Sequence, residues 1–74
     1  MSKSRENFVR LAENRTNKVL KDIDLLSNLS NKTNYAYTDE DIQKIFSAIG
    51  RKTKECEKKF HIALQKGKKT EFKL

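Results

Sequence analysis

Two runs of apolar residues, spaced alternately three and four apart, constrain this chain more than any other feature. In the first, Val9, Ala12, Thr16, Val19, Ile23 and Leu26 keep the rhythm, with Phe8 and Leu20 widening the stripe. In the second, Ile42, Phe46, Ile49, Thr53, Cys56, Phe60 and Ala63 keep it, joined by Ile45 and Leu64. A mean spacing of about 3.5 residues puts each set along one side of an α-helix, as in a coiled-coil seam. Strand alternation is not sustained anywhere. The chain has no proline and only two glycines, so little interrupts helix. The expected fold class is all-α, built on two amphipathic helices.

Local signals set the expected boundaries. Ser4 is a candidate N-cap, with Glu6 near the positive end of the helix dipole, so the first helix covers about residues 4–27. Thr38-Asp39-Glu40-Asp41 is a stronger start. The Thr38 side chain can accept from the Asp41 amide, and three acids complement the N-terminal dipole. Lys66 followed by Gly67 marks the other end, so the second helix covers about residues 39–66, with a basic tail over 67–74. The connection over 28–38 is rich in Asn, Ser and Tyr, and is long enough to reverse the chain. An antiparallel two-helix hairpin forming one domain over 1–74 is therefore expected.

A lone hairpin covers one side of each helix, and below roughly 70–80 residues one core rarely suffices. The single cysteine cannot form an intrachain disulfide. Self-association as a homodimeric four-helix bundle is the expected remedy. Leu11, Leu25 and Leu29, about 100° around the helix from the first stripe, add apolar surface for it. Both stripes narrow to small residues in the middle, at Ala12 and Thr16 and at Thr53 and Cys56. Such residues allow helices to approach closely, and the threonine hydroxyls can bond carbonyls four residues back. Cys56 is expected as a small buried hydrophobe and His61, off the stripe, as a solvated side chain.

Chemistry-bearing residues are sparse. Cys56 and His61 point about 140° apart on a helix, and a zinc site needs clustered ligands, so no metal site and no catalytic residues are expected. Helix capping accounts for Asp39, Glu40 and Asp41. The expectation is a non-enzymatic protein without cofactor or small-molecule substrate. Residues 1–15 hold no apolar leader core and no run suits a membrane span, so a cytoplasmic location without membrane contact is expected.

Charge placement says more than the total of +7 on 74 residues. Residues 1–27 carry +2, 28–38 carry +1, 39–50 carry −2, and 51–74 carry +6. In a hairpin this makes the loop end acidic and the far end basic. Opposite the first stripe lie Arg10, Asn14, Asn17, Lys18 and Lys21, with no acid among them. Opposite the second lie Arg51, Lys54 and Lys58, flanked by Lys52 and Lys59 and interrupted by Glu55 and Glu57. A solvated helix face ordinarily mixes both signs at i,i+4. Rows of cations and amides instead suit phosphates, bases and riboses. These residues are the candidate nucleic-acid interface, for RNA or DNA. In the loop, Asn31, Asn34, Tyr35 and Tyr37 can stack on and hydrogen-bond unpaired bases, or else close the end of the bundle. The alternative function is a protein-interaction adaptor or inhibitor module whose basic face docks on an acidic protein.

Two resemblances attach to these residues. A basic helical hairpin with Asn14 and Asn17 on the outer strip of its first helix resembles the plasmid copy-control Rop family. That family forms dimeric four-helix bundles and binds paired RNA loops, which implies the same architecture and ligand class here. Rop's loop is short, whereas this one is long. The stretches Leu11-Ala12-Glu13-Asn14-Arg15-Thr16-Asn17-Lys18, Leu29-Ser30-Asn31, Tyr35 through Asp41 and Lys44-Ile45-Phe46 resemble small uncharacterised helical proteins of Gram-positive bacteria and mobile elements. The second resemblance brings no activity with it.

Overall fold

The computed structural model describes residues 2–67, and Gly67 by its backbone alone. Among the described residues the chain is all-helical. Helix α1 spans Lys3–Ser27, a 3₁₀ turn follows over Asn28–Ser30, and helix α2 spans Asp39–Gly67. The chain divides into two units between Ala36 and Tyr37. The tail expected beyond Gly67 lies outside the described residues.

In the first unit α1 starts one residue before the expected boundary, and its cap is Ser2 rather than Ser4. The Ser2 hydroxyl accepts from the Arg5 amide at 3.2 Å, and its carbonyl accepts from the Glu6 amide at 3.0 Å. Either serine can cap a helix. The earlier one adds residues to the ladder, and extending a formed helix is favourable where starting one is not. Arg5 then lies over the Phe8 ring, 5.7 Å from its centroid. At the other end the Asn28 amide points at the carbonyls of Asp24, Leu25 and Leu26, and the chain tightens into the 3₁₀ turn. No cation stands in the last turn of α1, and Asp24 faces the negative end of the dipole.

Asn31 organises the segment that follows. Its side-chain oxygen accepts from the Thr33 amide at 3.0 Å, and its carbonyl accepts from the amides of Asn34 (3.2 Å) and Tyr35 (3.0 Å). This is the competition of a short amide side chain with the helix ladder, which ends the helix and turns the chain.

The second unit opens with a reciprocal capping box. The Asp41 amide donates to Thr38 Oγ1 at 3.1 Å, as the sequence predicts, and the Thr38 amide donates back to Asp41 Oδ2 at 2.9 Å. Asp39, Glu40 and Asp41 occupy the first turn and Lys66 the last, so both ends of α2 match its dipole. Thr53 Oγ1 donates to the Ile49 carbonyl at 2.8 Å, the back-bond anticipated for a stripe threonine.

None of the described residues is buried. Val9, Leu11, Ala12, Leu26, Ile42, Ile45 and Ile49 are half-buried, whereas Phe46 and Phe60 are each 54% exposed. Cys56, expected in a core, is exposed. The periodicity places Cys56 on the apolar side of α2 but supplies nothing to cover it. His61 is exposed.

Candidate nucleic-acid interface

Each cation row belongs to its own helix. On α1, Arg10, Asn14, Asn17 and Lys21 recur at steps of four, three and four, with Lys18 beside them, and all five are exposed. The row is not free of acid contact, as its sequence spacing had suggested. Lys18 Nζ lies 3.6 Å from Asp22 Oδ2, an i,i+4 pair reaching in from the row's edge. Arg10 Nη2 donates to Asn7 Oδ1 at 3.5 Å. An exposed i,i+4 pair is worth only about 0.3–0.5 kcal/mol, so Lys18 can exchange its carboxylate for a phosphate at little cost.

On α2, Arg51, Lys54 and Lys58 recur at steps of three and four and are exposed. Among the described residues none of the three enters an ion pair. The carboxylates of Glu40 and Glu55 are taken by other lysines, through Lys44–Glu40 at 3.2 Å and Lys52–Glu55 at 3.3 Å. Glu55 is paired with Lys52 but stays on the same side of α2 as Arg51 and Lys58, four residues after one and three before the other. Glu57 projects about 100° from the middle of the row by the helical period. The interruption by Glu55 thus persists in space, with its carboxylate taken by Lys52, whereas Glu57 lies to one side.

Alongside the row runs a shallow groove lined by Phe46, Ser47, Gly50, Arg51, Lys54, Glu55 and Lys58. Periodicity alone assigned Phe46 to the apolar stripe and left Ser47 and Gly50 without a role. The available signal was a glycine in the interior of an otherwise uninterrupted helix. A methyl group at Gly50 would meet nothing within 4 Å, and no described glycine has a positive φ.

The loop candidates divide. Asn31 is committed to the turn through its side-chain oxygen. Asn34 and Tyr35 are exposed, Tyr35 at 48%, and Tyr37 is half-buried beside the capping box. No group of three or more His, Cys, Asp or Glu able to hold a metal occurs among the described residues. No helix among them is long and apolar enough to cross a membrane. No family model matches the chain, and no curated protein or solved structure is significantly similar to it.

Proposed function

We propose that this protein is a non-enzymatic nucleic-acid-binding module that grips phosphates through its basic helix faces. The observation that carries the reading is the α2 row of Arg51, Lys54 and Lys58, exposed and without carboxylate partners while nearby acids are paired with other lysines. Unpaired cations one helical turn apart have no role in holding the helix, and phosphate is the ligand their charge and spacing fit. Arg10, Lys18 and Lys21 extend the positive surface, and Asn14 and Asn17 offer amides for base edges or riboses.

The uncovered stripes support the architecture that goes with this function. Each fully buried Phe, Ile, Leu or Val contributes about 1.5–3 kcal/mol. Seven such residues of the two stripes, Phe8, Val19, Leu20, Ile23, Phe46, Phe60 and Leu64, are at least 40% exposed. Folding α1 against α2 as a hairpin, and pairing two hairpins as a four-helix bundle, removes the middle of both stripes from water and leaves the cation rows and the stripe edge at Phe46 outside.

The test is a mobility-shift series with RNA and DNA at low salt. The parent chain shifts both, and a triple charge reversal, Arg51→Glu, Lys54→Glu and Lys58→Glu, abolishes the shift. Reversal at Arg10 and Lys21 weakens it. Parent protein that shifts neither nucleic acid but binds an acidic protein through the same face would overturn the reading.

A further inference from the structure

Gly50 is a residue that α2 does not need. A glycine in a helix interior weakens the helix relative to alanine, and here neither backbone conformation nor a neighbouring atom requires it. A position that costs stability and leaves open space beside it suits the close approach of something outside the helix. What surrounds that space identifies the visitor. Phe46, one turn before Gly50, presents an aromatic ring that is 54% exposed and sits near the edge of the apolar stripe, about 50° from its middle by the helical period. Arg51, Lys54 and Lys58 line it further around the same helix, and Ser47 adds a hydroxyl. The one acid in the lining, Glu55, is paired with Lys52 at 3.3 Å. The groove therefore combines an aromatic face, a bare stretch of backbone and unneutralised cations within about three helical turns.

We infer that this groove seats an unpaired nucleotide of single-stranded RNA or DNA, with the base stacked on Phe46, the sugar passing over Gly50 and the flanking phosphates on Arg51, Lys54 and Lys58. Stacking on an aromatic ring beside a cationic track is the chemistry by which proteins hold single strands. A duplex keeps its base faces covered and offers phosphates and groove edges instead. The inference rests on the nucleic-acid reading above and adds to it the strand state and the residues that detect it.

Fluorescence anisotropy of the full chain separates the two claims, with a labelled oligo(dT), an oligo(rU) and a duplex of equal length as probes. Gly50→Ala fills the approach space while strengthening the helix. Phe46→Leu keeps an apolar side chain and removes the stacking face. Each is expected to retain the parent's helicity and sedimentation and to weaken single-strand binding about fivefold or more, with duplex binding changed less than about twofold. The triple charge reversal is expected to abolish binding to all probes. If both groove variants bind the single strands as tightly as the parent while the charge reversal abolishes binding, the groove assignment falls and the phosphate reading stands. If the parent chain binds none of the probes, both fall.

Discussion

At the residue scale, Thr38 and Asp41 were the most legible part of the chain, because a capping box is written within four residues and its hydrogen bonds are local. The side chain of each satisfies the amide of the other, at 3.1 and 2.9 Å. Thr38→Ala removes one of these bonds and leaves the Asp41 amide to water. It should cost about 1 kcal/mol of stability, read as a lowered midpoint of thermal unfolding by circular dichroism. Thr38→Ser should recover most of that loss. The start of α1 was less legible, since Ser2 and Ser4 are chemically equal caps and no residue between them decides. The role of Asn31 was ambiguous for a related reason. Its amide is suited both to a base edge and to an Asx turn, and the turn uses its oxygen.

At the scale of the element, periodicity fixed which residues share a face and left open what lies against it. The stripe from Ile42 to Leu64 is real as a face of α2. Cys56 is exposed in the single chain, because sharing a side with Ile49 and Phe60 does not by itself bury a thiol. Charge reading had a similar limit. The acid-free row on α1 takes in Asp22 from outside its own arc, because a lysine side chain spans the distance to i+4. Length adds to the argument, since helices draw most of their stability in proteins from packing an apolar face. The stripe of α2 is accordingly the element whose disruption matters most. Ile49→Asp, which leaves the capping box and the cation row untouched, is expected to convert a sedimenting dimer to monomer and to reduce helicity. A parent chain that sediments as a monomer would remove the bundle from the account.

At the scale of the whole molecule, the charge of +7 resolves into unlike contributions. Some cations are spent on local pairs, as Lys18, Lys44 and Lys52 are. Arg51, Lys54 and Lys58 are not, and these three carry the function proposed. A surface that binds by neutralising phosphates releases counterions, so its affinity must fall linearly with salt on logarithmic axes. The slope is about −0.7 per phosphate for a single strand, so three contacts set a value of about −2. The most direct measurement is therefore the affinity of the intact chain for a labelled single strand across a series of salt concentrations. The account predicts a slope of about −2 or steeper, shallower by about 2 when Arg51, Lys54 and Lys58 are replaced by glutamine. A parent affinity that does not change with salt, or no binding at the lowest salt, would contradict it.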